Sequence, residues 1–90
     1  MSVKLEIPSI FRRYTDEKTT FELPGNTIGE VLENFKKRYP RVKKVFFDKE
    51  GKLLHSFDIY INGQSIYPLK MEHPVKDGDK LDLVMIISGG

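Results

Sequence analysis

Few side chains in this sequence have the types and spacing that could support chemistry. His55 and His73 are isolated and lack the spacing of metal ligands, so no metal site is predicted. The segment 77–79 reads Asp-Gly-Asp, which is typical of a turn and far shorter than a calcium loop of about twelve residues. Ser56 and Ser65 stand in no nucleophile motif, and the absence of cysteine excludes a thiol nucleophile, a disulfide and a thiolate metal site. The side chains therefore do not indicate a catalytic centre.

The last nine residues, DLVMIISGG, offer a reactive group that is not a side chain. An apolar strand leads to Ser88, Gly89 and Gly90, where the sequence ends. Because glycine lacks a Cβ, a Gly-Gly end is thin and adopts backbone conformations closed to other residues. Such an end can enter a narrow active site and present its α-carboxyl group. We therefore predict a flexible tail at residues 88–90, with the carboxylate of Gly90 as the functional group. The alternative is a frayed end without a role.

The strand before this tail has apolar residues in both phases. The inward phase holds Leu81, Leu83, Met85 and Ile87. Val84 and Ile86 follow the outward phase, and Tyr60 is expected beside them. Because exposed apolar groups often mark a partner site, these three residues form the predicted partner-binding face. The alternatives are a loop that covers them or a bulge that shifts the register.

Two strands precede the helix of this sequence. SVKLEIPS alternates, with Val3, Leu5 and Ile7 on one face, and TTFELPG alternates through Phe21 and Leu23. The intervening RRYTDEK is polar and typical of a turn, so the two strands are expected to form a hairpin.

The segment NTIGEVLENFKKRYP changes from a strand period to a helix period. Ile28, Val31, Leu32 and Phe35 recur at the spacing of one helical stripe. Thr27 and Glu30 form a capping box, and Pro40 marks the exit. The following 41–56 is ambiguous and is compatible with a short helical turn and a turn at 50–51.

Two further strands complete the order of elements. FDIYING is predicted to be a strand with Phe57, Ile59 and Ile61 inward, closed by the turn at 62–63, and QSIYPL to be a short or edge strand. The order is strand, strand, helix, strand, short strand, strand, and a single helix covers one face of the sheet. The sequence therefore predicts an α+β domain over residues 1–90 with the mixed sheet of the β-grasp, or ubiquitin-like, fold. Its first and last strands are expected to lie parallel at the centre.

Composition restricts the expected partners. The net charge is only +2, from 15 lysines and arginines against 13 acidic residues, so no nucleic-acid partner is predicted. The cations of 36–44 are interpreted as a solvated helix end, and the alternative is a nucleic-acid surface. No apolar run approaches the length of about 20 residues that spans a membrane, and no signal peptide precedes the first strand, so we expect a cytoplasmic protein without a membrane partner.

The sequence resembles the ubiquitin-like sulfur carriers of the MoaD, ThiS and CysO family. YINGQSI and PVKDGDKLDLVMIISGG look like the end of these proteins, and VKLEIPSIFRRYT, NTIGEVLENFKKRYP and GKLLHSFDIYING extend the resemblance over nearly the whole chain. The segments GKLLHSF and IPSIFR look closest to the CysO-like branch. The tail departs from the pattern, because Ile86, Ile87 and Ser88 stand where many relatives have proline or alanine. This departure leaves the receiving enzyme open.

The resemblance implies a protein co-substrate rather than an enzyme. A ubiquitin-activating-type adenylyltransferase would use ATP to adenylate the Gly90 carboxylate, and a sulfur donor would then displace AMP and leave a thiocarboxylate. The carrier itself would bind no cofactor and would deliver sulfur to a sulfur-accepting synthase, as in molybdopterin or cysteine synthesis. It could also be the small subunit of such a synthase. The alternative is a ubiquitin-like modifier joined to lysines through the same Gly-Gly end, and a weaker one is a β-grasp binding module.

Overall fold

The first and last strands lie side by side at the centre of the sheet. The computed structural model describes residues 2–86. Within them, β1 (Ser2–Glu6) pairs in parallel with β5 (Lys80–Met85), with Leu5 opposite Leu81. The predicted parallel neighbours are therefore confirmed. The inward position predicted for Ile87 and the tail predicted at 88–90 lie outside the described residues.

Three more strands flank this central pair. β2 (Thr20–Pro24) pairs antiparallel with β1, which confirms the predicted hairpin. On the other side, β3 (Phe57–Ile61) pairs antiparallel with β5, and the two-residue β4 (Gln64–Ser65) pairs with the end of β3. The sheet order is β2-β1-β5-β3-β4, which is the mixed α+β arrangement that the sequence predicts.

One helix covers one face of this sheet. α1 (Ile28–Arg38) begins at Thr27, whose hydroxyl accepts a hydrogen bond from the Glu30 N–H at 3.2 Å. The Glu30 carboxylate accepts from the N–H of Asn26 at 2.8 Å, one residue beyond the partner that a standard capping box uses. The pair Thr27 and Glu30 predicts the start of the helix correctly. The Glu30 side chain also holds Asn26, the residue that precedes the N-cap.

The core lies between α1 and the covered face of the sheet. The apolar stripe of α1 is buried, and so are the inward residues of the sheet: Val3, Leu5, Ile7, Phe21, Leu23, Phe57, Ile59, Leu81 and Leu83. Burying each of these side chains contributes about 1.5–3 kcal/mol relative to leaving it in water. Met85 follows the same phase but is 39% exposed, because β5 ends there and passes beyond the cover of the helix.

Two short helical segments close one end of the core. A 3₁₀ helix at Ser9–Tyr14 places Phe11 against Phe57, with ring centroids 5.7 Å apart. α2 (Lys43–Phe46) places Phe46 against the same ring at 5.0 Å. The sequence predicts a short helical turn in this region, and α2 confirms it. The 3₁₀ helix extends through the first three residues of RRYTDEK, where the sequence predicts a polar turn.

A turn at Thr15–Lys18 returns the chain to β2. The N–H of Lys18 donates to the carbonyl of Thr15 at 3.1 Å, and Asp16 and Glu17 have φ angles of 55° and 64°. Positive φ at both central residues is characteristic of a type I′ turn, which here joins the 3₁₀ helix to β2. The buried Thr15 hydroxyl donates to the carbonyl of Lys18 at 2.7 Å and fixes the turn.

The segment 66–74 packs against the start of α1. The N–H of Gly29 donates to the carbonyl of Met71 at 2.8 Å, and the N–H of Ile28 donates to that of His73 at 3.0 Å. These are backbone donors of the first helical turn, which have no partner within a helix. A Cβ at Gly29 would stand 3.1 Å from the Met71 carbonyl oxygen, so this close approach favours glycine there.

Candidate functional site

The predicted reactive end follows directly from the middle of the sheet. β5 lies between β1 and β3, and the N–H of Ile86 still donates to the carbonyl of Ser56 at 2.7 Å. β1 pairs with β5 only as far as Asp82, so the chain beyond Ile86 starts from a point that the β3 side alone holds. Ser88, Gly89 and Gly90, the predicted tail and functional terminus, lie outside the described residues.

Tyr60 and Val84 lie on the face of the sheet that α1 does not cover. The register pairs Tyr60 with Asp82 and Val84 with Asp58, which makes the two apolar residues diagonal neighbours on that face. Both are half-buried and line a shallow hollow of about 370 Å³, which Pro8 and Met85 also border. The structure therefore brings two of the three predicted partner residues together.

Ile86 borders a different and larger concavity. Its side chain is 48% exposed and lines a groove of about 1090 Å³. α1 forms the floor of this groove through Leu32 and Lys36, and the segments 47–55 and 66–72 form its walls. The predicted face is thus divided between the hollow and the groove at the place where β5 ends.

The groove contains exposed apolar residues that the sequence analysis does not single out. Tyr67 is 81% exposed and Met71 is 37% exposed, and both line the wall formed by 66–72. These residues belong to a segment without strand or helix period, so no periodicity argument could place them. The only signal is the concentration of apolar residues in IYPLKM between polar neighbours.

An ionic group borders the hollow on the open face. The ammonium of Lys80 lies 3.2 Å from a Glu6 carboxylate oxygen and 3.8 Å from one of Asp82. The hydrogen bond to Glu6, with the charge of Asp82 adding to it, raises the pKa of Lys80 above its ordinary value. Lys80 therefore stays protonated, and the polar start of β5 contrasts with its apolar end.

A buried lysine supports the floor of the groove. The side chain of Lys36 is 9% exposed, and its ammonium donates to the carbonyl of Gly51 at 3.1 Å and pairs with a Glu33 carboxylate oxygen at 2.6 Å. The ammonium also stands 4.5 Å from the centroid of the Phe47 ring. The hydrogen bond from Lys36 lowers the pKa of Glu33. The Gly51 carbonyl, the Glu33 carboxylate and the Phe47 ring all contact this ammonium. Lys36 therefore connects the segment 47–51 to α1.

The remaining candidate side chains do not converge. His55 is exposed beside the groove, whereas the His73 ring nitrogen lies 2.9 Å from the carbonyl oxygen of Pro74. Asp77 accepts from the Ser2 N–H at 2.9 Å, and Gly78 has a φ of 85°, which confirms the predicted turn. Residues 2–86 contain no group of three histidine, aspartate or glutamate side chains placed to hold a metal ion. Side chains in this part of the chain form no catalytic constellation.

The comparison with known families agrees with this architecture. The ThiS family matches residues 5–90. The chain belongs to the ThiS family. Its class is therefore that of the ubiquitin-like sulfur carriers and modifiers, which are small carrier proteins. No curated protein sequence matches the chain.

Solved structures place the whole fold in the same class. A chain of the Amycolatopsis orientalis BexX/CysO complex is 29% identical, with 98% of this chain and 99% of that chain covered and a TM-score of 0.83. Small archaeal modifier protein 1 of Methanosarcina acetivorans is 29% identical over 99% of this chain and 96% of that chain, with a TM-score of 0.80. CysO of Mycobacterium tuberculosis shares the fold, with a TM-score of 0.81 at 24% identity over 94% of this chain and 99% of that chain. The described ThiS-family domain has no helix of the length and apolarity needed to cross a membrane.

Proposed function

We propose that this chain carries sulfur as a thiocarboxylate on the α-carboxyl group of Gly90. The observation that carries the proposal is the ThiS-family match, which extends through residue 90 and so includes the Gly-Gly end. The pairing of β5 with β3 as far as Met85 supports it, because a strand that is paired to its last residue gives the following residues a fixed point of departure.

The chemistry requires activation, since a carboxylate is a poor electrophile. The Gly90 carboxylate attacks the α-phosphorus of ATP and releases pyrophosphate, which leaves an acyl-adenylate. Hydrosulfide, the sulfur donor at the required oxidation level, then attacks the acyl carbon through its sulfur, the bond from that carbon to AMP breaks, and loss of the S–H proton leaves the thiocarboxylate. The carrier supplies only its terminus and binds no cofactor, and ATP is held by the adenylyltransferase. A sulfur-accepting synthase of the molybdopterin or cysteine type then takes the sulfur.

Partner proteins are central to this proposal. The Amycolatopsis orientalis relative is described in a complex with BexX, which supports the expectation that members of this class act in contact with other proteins. We assign the docking of the adenylyltransferase to Tyr60, Val84 and Ile86. The half-buried Tyr60 and Val84 in the hollow and the exposed Ile86 at the groove all lie beside the point where the chain leaves the sheet.

A second candidate is protein modification through the same terminus. The likeness to small archaeal modifier protein 1 favours it, at 29% identity over nearly the full length of both chains. In that case a lysine amine rather than a sulfur donor displaces AMP and forms an amide with Gly90. Intact mass spectrometry of the protein from its native cells separates the two. Replacement of one oxygen by sulfur supports the carrier, and a covalently attached second protein supports the modifier.

The terminus itself is tested by variants that leave the core unchanged. Deleting Gly90, or adding one alanine after it, is expected to abolish ATP–pyrophosphate exchange by the cognate adenylyltransferase while thermal unfolding stays that of the wild type. The matched control adds one alanine before Ser2, at the opposite end of the sequence. Normal exchange with the Gly90-deleted protein would show that the terminal carboxylate is not the activated group.

A further inference from the structure

The segment from Lys36 to Lys44 concentrates positive charge in one part of this chain. It contains six lysines and arginines and no acidic residue. Lys36 is buried and paired, whereas the other five are exposed and form no ion pair within residues 2–86: Lys37, Arg38, Arg41, Lys43 and Lys44. Removing these five cations from a chain of net charge +2 leaves the rest of the chain at −3. The charge of the domain is therefore strongly asymmetric.

The helix dipole accounts for only part of this surface. Lys37 and Arg38 stand in the last turn of α1, where the partial negative charge of the helix end favours cations. Arg41 lies in the next 3₁₀ helix, and Lys43 and Lys44 lie in the four-residue α2, beyond that last turn. These three cations need another explanation.

Packing brings an arginine from a distant part of the sequence to the same place. The guanidinium of Arg41 lies 5.5 Å from the centroid of the Tyr14 ring, which fixes the 3₁₀ helix Ser9–Tyr14 beside the second one. Arg13 precedes Tyr14 and is exposed without an ion pair among the described residues. We call Arg13, Arg41, Lys43 and Lys44 the basic cluster.

The basic cluster lies at the end of the sheet where β5 finishes. The segments that carry it pack on Phe57 through Phe11 and Phe46, whose rings lie 5.7 and 5.0 Å from that of Phe57. Phe57 is the register partner of Met85, the last residue of β5. The cluster and the departure point of the last residues therefore share one end of the domain.

We propose that the basic cluster docks on an acidic surface of the enzyme that activates Gly90. This inference rests on the proposed function, because it concerns the enzyme that receives the terminus. Complementary charges increase the rate of encounter and select the orientation of the partners. With the cluster at the departing end of β5, that orientation directs the last residues toward the active site.

A protein surface fits the cluster better than a nucleic acid does. A net charge of only +2 gives the chain little overall attraction for a polyanion, whereas four grouped cations are sufficient to pair with a local acidic patch on a protein. The basic cluster also lies beside the end of β5, so a partner bound to it is close to the terminus. An activating enzyme must bind that terminus, whereas a nucleic acid does not. Binding of transfer RNA is therefore the competing outcome of the test.

The test reverses the charge of two exposed residues that make no side-chain hydrogen bond among the described residues. The variant is Arg13→Glu/Lys44→Glu, and the matched control, Lys70→Glu/Lys76→Glu, changes the net charge equally on two exposed lysines of the segment 66–79. ATP–pyrophosphate exchange by the cognate adenylyltransferase is measured against carrier concentration, and circular dichroism verifies the fold of both. We expect the KM for the cluster variant to rise about tenfold with kcat unchanged, and that for the control to change less than about twofold. The wild-type KM should rise with salt, and that of the cluster variant should not.

The possible results of this experiment distinguish failure of the inference from failure of the proposed function. Equal KM values for wild type and cluster variant would overturn the inference while wild-type exchange still supports the proposed function. An equal rise in the control would overturn it as well, because the effect would then reflect net charge. Binding of transfer RNA that only the cluster variant loses, with KM unchanged, would assign the cluster to nucleic acid and overturn the inference. Absence of exchange with the wild-type protein would instead overturn the proposed function, and the inference with it.

Discussion

The side-chain amide of Asn62 donates to the carboxylate of Asp79 at 3.0 Å and so joins the β3–β4 turn to the turn that begins β5. The Asn62 side-chain oxygen accepts from the Lys80 N–H at 3.0 Å, and the Asp79 carboxylate also accepts from the Lys76 N–H at 2.8 Å. Asn62 has a φ of 51°, a left-handed conformation that asparagine tolerates better than most residues. These two side chains fix the entry of the central strand.

The Asp79 carboxylate predicts a specific loss of stability in acid. The hydrogen bond from the Lys76 N–H, followed by that from Asn62, lowers the pKa of Asp79 below its ordinary value of 3.8. Because the folded state binds this proton less tightly, the contribution is present above pH 3.8 and is lost as the pH falls through the lower folded pKa. Asp79→Asn is expected to lower the free energy of unfolding by about 1 kcal/mol at pH 7, a value reduced for solvent exposure. Urea unfolding from pH 7 to pH 2 should show the two proteins converging in acid, and a constant difference would contradict the assignment.

The burial of Lys36 predicts that its substitution will lower the free energy of unfolding strongly, although lysine is usually at the surface. Replacing it with methionine keeps the aliphatic stem but leaves the Gly51 carbonyl without its donor and removes the cation from the Phe47 ring. We expect Lys36→Met to reduce the free energy of unfolding by about 1–3 kcal/mol. Glu33→Gln is the matched control. Because the Glu33 side chain is 63% exposed, its substitution should cost less than about 1 kcal/mol in urea unfolding. Equal losses would show that the ion pair, rather than the burial of Lys36, carries the stability.

The turn after the first 3₁₀ helix predicts a stabilising substitution. Asp16 has a φ of 55°, where glycine has no steric penalty. Asp16→Gly is therefore expected to raise the free energy of unfolding by about 0.5 kcal/mol, and Asp16→Val to lower it by about 1–2 kcal/mol. Thermal unfolding at neutral pH measures both. An unchanged free energy of unfolding in Asp16→Val would show that residue 16 does not adopt the left-handed conformation in solution.

The two phases of the last strand predict opposite responses to the same charge. Leu83 is 2% exposed, so Leu83→Asp buries an unpaired carboxylate at a cost of about 4 kcal/mol or more, against a typical stability of about 5–15 kcal/mol. Ile86 is 48% exposed, so Ile86→Asp should cost less than about 1 kcal/mol and act on partner binding instead. Circular dichroism and titration against the adenylyltransferase separate these effects. Unfolding by Ile86→Asp with tolerance of Leu83→Asp would place the register of β5 one residue away.

The regular part of the fold could be predicted because it depends on local periodicity. The stripe from Ile28 to Phe35 and the alternation through Leu81 and Leu83 match the buried residues, since each pattern reports which side of an element faces the core. The packing of 47–55 and 66–72 could not be predicted. These segments have no period, and their positions depend on contacts such as the Gly29–Met71 hydrogen bond, which join residues far apart in sequence.

The candidate site was predictable to the same extent. Alternation placed Tyr60 and Val84 on one face, and the register confirms that they are neighbours there. Ile86 borders the groove instead because β5 ends at Met85, beyond which strand alternation no longer determines direction. The burial of Lys36 was not predictable from a helix pattern, because its carbonyl and ring partners belong to the aperiodic segment 47–51.

The parallel pairing of β1 with β5 has a consequence for synthesis on the ribosome. The hairpin of β1 and β2 can form early, but Lys4 meets its partner Lys80 only after 76 more residues have been translated. Until then the inner edge of β1 presents unpaired backbone groups, and the core lacks Leu81 and Leu83. A nascent chain that stops early is therefore left with an incomplete sheet, which cellular proteases can recognise. Completion of the sheet waits for Lys80–Met85, so under the proposed function only fully translated chains would combine a stable fold with the terminus that is proposed to be activated.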